Sequence, residues 1–228
     1  MKTSIVVVAY DTIRLQRKIT SACLANIQRY TNRDEYELIF VDQGVGKPTP
    51  LDVSHHLLDI DKHVVAGDIG VSAAYNLGYK ESNPDYPLIV FMHNDVLVPD
   101  DWLKNLRESL DTHKVVMPHQ GPTTRDFVIE SRTKNIQANN DAGLIMMSKE
   151  TFKGTGGWDE RFKGIYQTQI FWWRLPEQAF NVSKCIITHI GCGTVYVDEE
   201  RERRQYSEEG PMFNATRSDQ IALKKNYL

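Results

Sequence analysis

The chain has 228 residues and a net charge of −3, with 41% hydrophobic and 25% charged residues. This composition is typical of a water-soluble globular protein, and the charge excludes a strongly basic surface for nucleic acid or anionic membranes. No apolar run approaches the roughly 18 residues of a membrane span, and three widely spaced cysteines exclude a disulfide framework, so we expect a cytoplasmic protein.

The first half of the chain alternates between predicted strands and predicted helices. A continuous apolar run at residues 5–10 predicts a strand buried on both faces, and apolar residues at helical spacing predict a helix at about 15–30. Similar patterns predict further strands at 36–41, 63–66 and 88–92, and helices at 72–79 and from Trp102. This alternation indicates an α/β fold, with a mostly parallel sheet flanked by helices on both faces.

The sequence of the second half predicts less regular secondary structure. Residues 118–140 are rich in Gly, Pro, Thr and Asn, and we interpret them as loops and a short hairpin. Later patterns predict strands at 144–147 and 186–189, with helices at 149–152 and 170–175. We expect one domain at 1–198, followed by a charged tail at 199–228 that is helical or mobile.

Polar or glycine-containing turns follow four of the predicted strands. They are Tyr10-Asp11, Asp42-Gln43-Gly44, the turn at 67–70, and His93-Asn94-Asp95. The carboxyl ends of parallel strands line up on one edge of a sheet. That edge would offer carboxylates to a ribose, a base or a divalent cation, and glycines where backbone approaches phosphate. Taken alone, each turn is ambiguous, because Asp42 or Asp95 could simply cap a turn or helix.

Six segments, taken in order, carry a family resemblance. They are SIVVVAY (4–10), LIFVDQG (38–44), GDIGVSAAYNLGY (67–79), IVFMHNDVLVPDDWL (89–103), AGLIMMSKETFKGTGGWDERF (142–162) and THIGCGT (188–194). Their order and spacing resemble the family 2 glycosyltransferases, which have the Rossmann-like GT-A fold. The resemblance implies transfer of a sugar from a nucleotide diphosphate sugar to a hydroxyl of a glycan or glycoconjugate, as in polysaccharide biosynthesis. UDP is the expected carrier, with dTDP and GDP as alternatives.

The resemblance also implies a nucleotide site at the strand ends. Ala9 and Tyr10 match the wall for the base, and Asp42 matches the acidic residue that hydrogen-bonds the base or ribose. The segment at 67–78 resembles an Asn- and Gly-containing element beside the nucleotide. Its residues Asp68, Gly70 and Asn76 are assigned to the nucleotide, and so is Asn94.

A metal site is implied by three further positions. Asp95 matches the last acidic residue of a D-x-D element, His93 replaces the first, and His189 belongs to a segment resembling a late H-x-G-G element. A hard cation held by carboxylate oxygen would neutralise the diphosphate. Because imidazole suits Mn²⁺ better than Mg²⁺, we expect Mn²⁺, with Mg²⁺ as the alternative. His93 could instead contact the nucleotide, and His189 could be a buried structural histidine.

The acceptor side departs from the family pattern. Trp158, in a segment resembling a G-G-F-D-E-x-F turn, either stacks on a sugar or belongs to the core. Gln167 and Thr168 stand where the family has an acidic pair containing the catalytic base, and neither can act as a base near neutral pH. Three explanations compete: Asp141 or Asp159 supplies the carboxylate, the reaction retains configuration with help from the leaving phosphate, or the protein is a nucleotide-sugar or carbohydrate binding module without transfer activity.

Overall fold

The computed structural model describes residues 2–10, 14–44, 58–121, 143–164, 166–175, 179–190 and 199–225. The strands are β1 (Thr3–Ala9), β2 (Tyr36–Asp42), β3 (Lys62–Val65), β4 (Leu88–His93), β5 (Val96–Leu97), β6 (Val115–Gln120), β7 (Leu144–Ser148) and β8 (Phe180–His189). The helices are α1 (Arg14–Tyr30), α2 (Val71–Glu81), α3 (Trp102–Leu110), α4 (Lys149–Gly154), α5 (Gln167–Arg174) and α6 (Glu199–Lys225), with a 3₁₀ turn at Arg33–Glu35.

The strands form one mixed sheet in the order β3-β2-β1-β4-β7-β6-β8-β5. Strands β3, β2, β1 and β4 run parallel to one another, and β6 runs parallel to β8. Strand β7 runs antiparallel to β4 and β6, and β5 runs antiparallel to β8. The predicted α/β class is therefore confirmed, while the antiparallel pairings are features that the sequence pattern did not give.

Burial on both faces of β1 explains its continuous apolar sequence. Alternate residues point to opposite faces of a strand, so Ile5 and Val7 pack into one cluster with Leu24 of α1 and Trp102 of α3. Val6 lies in the opposite cluster, which contains residues of α2, α4 and α5. The helices therefore cover both faces of the sheet, as predicted. None of the described helices is long and apolar enough to cross a membrane.

Two predicted boundaries were wrong. Residues 118–120, expected in loops, complete β6, which contains Pro118 and an irregular register between Pro118 and His119. Strand β8 begins at Phe180, earlier than expected, and residues 122–140 lie outside the described part of the chain. Proline and bulges weaken the sequence signature of a strand, which accounts for the missed β6.

Helix α6 packs against the segment that precedes α5. The buried Glu209 carboxylate accepts the backbone N–H groups of Lys163 (2.9 Å) and Gly164 (3.2 Å). The Phe213 ring stacks on Tyr166, with centroids 4.2 Å apart. Helix α6 therefore holds the turn from which α5 starts.

Candidate functional site

Three side chains with metal-ligating atoms meet where β4 and β8 end and β5 begins. His93 and His189 are the last residues of β4 and β8, and the backbone N–H of Ile190 donates to the Asp95 carbonyl (2.9 Å). The Nε2 atom of His189 lies 3.1 Å from Oδ1 of Asp95 and 3.4 Å from Nδ1 of His93. One metal-ligating atom from each of the three side chains lies within 4.8 Å of the corresponding atoms of the other two. The residues that were predicted to bind metal thus form one cluster.

Electrostatics favour a charged carboxylate in this cluster. Burial of Asp95, which is only 4% exposed, acts to raise its pKa, but the hydrogen bond from His189 and the nearby His93 outweigh burial and lower the pKa. An ionised carboxylate and two imidazoles supply one oxygen and two nitrogen ligands, a set that Mn²⁺ accepts. The residues present therefore fit a divalent cation.

Gly143 shapes the wall beside this cluster. Its carbonyl accepts the N–H of His93 (2.7 Å), and its φ of +66° lies in the left-handed region. A Cβ atom at this position would lie 2.9 Å from Val96 Cγ2 and 3.1 Å from His189 Nε2. Gly143 thus leaves space for His189. The sequence analysis did not identify Gly143 as a site residue, because its function depends on a contact with a residue distant in sequence.

Three of the predicted nucleotide residues, Ala9, Tyr10 and Asp42, lie at the same edge of the sheet as the histidine–aspartate cluster. In the parallel register, Ala9 is opposite Asp42 and Val8 is opposite His93, so the ends of β2, β1 and β4 are aligned. Ala9 is buried and Tyr10 is half-buried. This arrangement agrees with the alignment of strand ends that the sequence predicted.

Asp42 is fixed by two contacts. Its Oδ1 atom accepts the N–H of Gly44 (2.8 Å), and its Oδ2 atom lies 3.3 Å from Nε2 of His63 on β3. The side chain of Asp42 is 13% exposed and that of His63 is 40% exposed. The sequence analysis gave His63 no function, because nothing in its local context indicates this contact between neighbouring strands.

Asn94 is turned towards α1. Its amide donates to the Thr20 hydroxyl (2.6 Å), and its side chain is buried. The Asn94 amide therefore anchors the loop between β4 and β5 to α1, and its predicted contact with a nucleotide stays a prediction.

The residues predicted in the segment before and within α2 have different environments. Asp68 is exposed, whereas Gly70, at a φ of +85°, is buried so closely against Lys163 that a Cβ atom would lie 2.8 Å from the Lys163 Cβ. The Asn76 side chain makes two hydrogen bonds with the backbone of Trp158. Its amide N–H donates to the Trp158 carbonyl (2.9 Å), and its Oδ1 accepts the Trp158 N–H (2.9 Å). In the described contacts, Gly70 and Asn76 support the segment around 158–163.

Trp158 lies in an aromatic cluster beneath the site. The side chain is 5% exposed and stacks on Phe171 of α5 at a centroid distance of 4.0 Å and an interplanar angle of 14°. The ring centroid of Tyr75 lies 5.0 Å from that of Trp158, at an interplanar angle of 32°. The face of Trp158 that is stacked on Phe171 is thus occupied by protein.

Asp159 is held by two guanidinium groups. Arg161 contacts Oδ2 at 2.6 Å and Arg174 contacts the same atom at 2.7 Å. The hydrogen bond from Arg161, opposed by burial and assisted by the charge of Arg174, lowers the pKa of Asp159. A lowered pKa makes this carboxylate a weaker proton acceptor.

Gln167 and Thr168 occupy the start of α5. Gln167 is 9% exposed, and its Oε1 has no hydrogen-bond partner within the described ranges. Thr168 is half-buried and lines an open cleft together with His93 and Trp172. Trp172, to which the sequence pattern assigned no function, therefore lines the same cleft as the predicted acceptor residue and the first histidine of the cluster.

Two predicted elements fall outside the described residues. They are Asp141, one of the two candidate bases, and the segment 191–194 after His189.

Comparison with protein families gives one match that covers most of the chain. The model of "Glycosyl transferase family 2" matches residues 4–195. No curated protein matches the chain.

Several solved structures share the fold at low sequence identity. GalNAc-T7 with UDP, GalNAc and Mn²⁺ has 12% identity and a TM-score of 0.60, with 83% of this chain and 44% of that chain covered. S. aureus TarS 1–349 with UDP-GlcNAc has 14% identity and a TM-score of 0.58, with 86% and 62% covered. Mannosyltransferase PcManGT from Pyrobaculum calidifontis with GDP-Man and Mn²⁺ has 18% identity and a TM-score of 0.58, with 82% and 56% covered. This chain thus spans about half the length of these GT-A proteins.

Proposed function

The chain belongs to glycosyl transferase family 2, and on this premise we propose that it transfers a sugar from a nucleoside diphosphate sugar to a hydroxyl group of a glycan or glycoconjugate. The observation that carries the proposal is the convergence of His93, Asp95 and His189 at the sheet edge that also holds Asp42. A transferase of this kind needs a nucleoside site and a diphosphate site side by side, and this edge offers groups suited to both.

His93, Asp95 and His189 would hold a divalent cation, which we propose to be Mn²⁺. When bound, such a cation neutralises the charge that develops on the leaving diphosphate. Asp95 would supply the oxygen ligand and the two imidazoles the nitrogen ligands, and His189 Nε2, which lies 3.1 Å from Asp95 Oδ1, would exchange its hydrogen bond to that oxygen for the cation. The two imidazoles favour Mn²⁺ over Mg²⁺, and GalNAc-T7 and PcManGT were both crystallised with Mn²⁺.

The nucleoside would lie against Ala9 and Tyr10, with Asp42 accepting a hydrogen bond from the base or the ribose. We propose UDP as the carrier. GalNAc-T7 and TarS were crystallised with UDP or a UDP sugar, whereas PcManGT was crystallised with GDP-Man. A carboxylate accepts hydrogen bonds from the N–H groups of uracil and guanine alike, so the Asp42 contact alone does not separate the two bases.

The acceptor proton needs a base other than Gln167 or Thr168. Asp159 is ionised and neutralised by two arginines, which makes positioning of the 158–161 turn its better-supported function. We therefore propose that Asp141 removes the proton, or that the leaving phosphate accepts it in a reaction that retains configuration.

A second candidate function is a nucleotide-sugar binding module without transfer activity. The observation that favours it is the chemistry of α5, where Gln167 and Thr168 stand in place of the acidic pair and Thr168 lines the cleft beside His93. Both functions predict binding of a nucleotide sugar, and only the transferase predicts its turnover.

Release of nucleoside diphosphate from UDP, GDP and dTDP sugars separates the two functions. The protein would be incubated with each donor, with Mn²⁺ or with EDTA, and with water or a panel of simple glycosides as acceptors. The transferase predicts Mn²⁺-dependent release from at least one donor, and Asp95→Ala abolishes it. Binding without release supports the module, and failure to bind any donor contradicts both proposals.

A further inference from the structure

His63 contacts Asp42 from the neighbouring strand. The parallel register places His63 opposite Phe40, two residues before Asp42 on β2. Its imidazole stacks on the Phe40 ring with centroids 5.1 Å apart and an interplanar angle of 30°. This stacking directs Nε2 towards Oδ2 of Asp42, 3.3 Å away.

The two contacts of Asp42 involve different oxygens. Oδ1 accepts the Gly44 N–H, and Oδ2 faces His63. Because the Gly44 N–H and the His63 ring hold different oxygens, the protein fixes the plane of the carboxylate. Holding an acceptor in one orientation before the ligand arrives lowers the entropic cost of binding.

We infer that His63 is a positioning residue for nucleoside recognition, which acts by holding the Asp42 carboxylate in its binding orientation. The inference rests on the proposed function, because it assigns Asp42 to the nucleoside. With its proton on Nε2, the imidazole donates to Oδ2 and holds the carboxylate in the plane in which it would accept an N–H of the base or an O–H of the ribose. His63 itself touches neither the sugar nor the cation.

A double-mutant cycle tests this inference. His63→Phe keeps a ring on Phe40 and removes the donor, while His63→Gln keeps an N–H donor; each is made alone and together with Asp42→Ala. Binding is measured by calorimetry with Mn²⁺ and whichever of UDP, GDP or dTDP the parent protein binds most tightly. Unfolding midpoints of all variants show whether the fold is retained.

His63→Phe should weaken nucleotide binding about tenfold, the effect of one charge-assisted hydrogen bond, and His63→Gln should retain most of the affinity. In the Asp42→Ala background His63→Phe should cause no further loss, because its effect passes through that carboxylate. If the parent protein binds UDP, the binding of CDP to the same variants shows which part of the nucleotide Asp42 contacts. A smaller preference for UDP over CDP in His63→Phe indicates the base, whereas equal weakening of UDP and CDP binding indicates the ribose.

Unchanged binding in His63→Phe, or additive losses in the double variant, overturns the inference and leaves the proposed function standing. A parent protein that binds none of the three nucleotides overturns both.

Discussion

The Nε2 atom of His189 lies 3.1 Å from the Oδ1 atom of Asp95, although the two residues belong to distant parts of the sequence. The pairing of β5 with β8 brings them together, since Val96, which follows Asp95, is opposite His189. The carboxylate is therefore charged, buried and oriented before any ligand binds. A charged carboxylate in this position is suited to binding a cation, and its burial limits its contact with bulk solvent.

Gly143→Ala should weaken Mn²⁺ binding roughly tenfold, the effect typical of disturbing the surroundings of a metal ligand. The added Cβ would press on His189 and Val96, and the left-handed backbone would cost about 1 kcal/mol. Gly156→Ala is the matched control, because Gly156 has a φ of +77° and no atom within 4 Å of the added Cβ. Calorimetric titration with Mn²⁺ measures the difference. Equal affinities in the two variants would contradict the proposed contact.

Asp159→Asn should lower the free energy of unfolding at pH 7 by about 1–3 kcal/mol, the range for a hydrogen bond to a charged group. Because the folded pKa of Asp159 lies below its unfolded value, the stabilisation is present above about pH 4 and is lost as the pH falls through the folded pKa. Urea unfolding of the parent and the variant between pH 7 and about pH 3 should show that the difference between their free energies of unfolding becomes smaller as the pH falls. Asp85→Asn, at an exposed position, serves as the control. A difference in the free energy of unfolding that grows at low pH would contradict stabilisation by the ion pairs of Asp159.

Glu209→Ala should destabilise the protein by about 1–3 kcal/mol, because it removes the buried carboxylate that accepts the N–H groups of Lys163 and Gly164. Glu208→Ala, on the exposed side of α6, should change the free energy of unfolding little. Urea denaturation of the two variants makes the comparison. Equal stabilities would mean that α6 does not hold the turn before α5.

Thr168→Asp should raise the rate of transfer to an acceptor, by up to about 10²–10⁴-fold if the added carboxylate acts as a general base. Thr168 lines the cleft that reaches His93, so a carboxylate there would face the reacting groups. Thr168→Asn has nearly the same shape and no basic group, and it provides the control. Donor consumption is followed with a glycoside acceptor. Identical rates for the two variants would show that the missing acidic pair does not limit the reaction.

The sequence predicted those features that depend on strand order alone. Buried apolar runs identified β1, β2 and β4, and parallel strands align their carboxyl ends, so the shared edge of Asp42 and Asp95 followed from the pattern. His189 was assigned through family resemblance, but its contact with Asp95 could not be predicted, because that contact depends on the pairing of β5 with β8.

Contacts between distant side chains could not be predicted. Asn76 was assigned to the nucleotide from its motif, but its described hydrogen bonds go to Trp158 and Glu160, and no local pattern encodes these contacts. The space that Gly143 leaves for His189 and the contact of His63 with Asp42 likewise depend on atomic positions across strands.

The most direct test of the account is the equilibrium binding of UDP, GDP and dTDP to the parent protein and to Asp95→Asn, each with Mn²⁺ and with EDTA. Asparagine preserves the shape of the side chain while removing its charge, so the fold should be retained. The account predicts that the parent binds at least one nucleoside diphosphate tightly with Mn²⁺ and weakly with EDTA, and that Asp95→Asn binds weakly in both. Equal binding by the parent with Mn²⁺ and with EDTA, or full Mn²⁺-dependent affinity in Asp95→Asn, would contradict it.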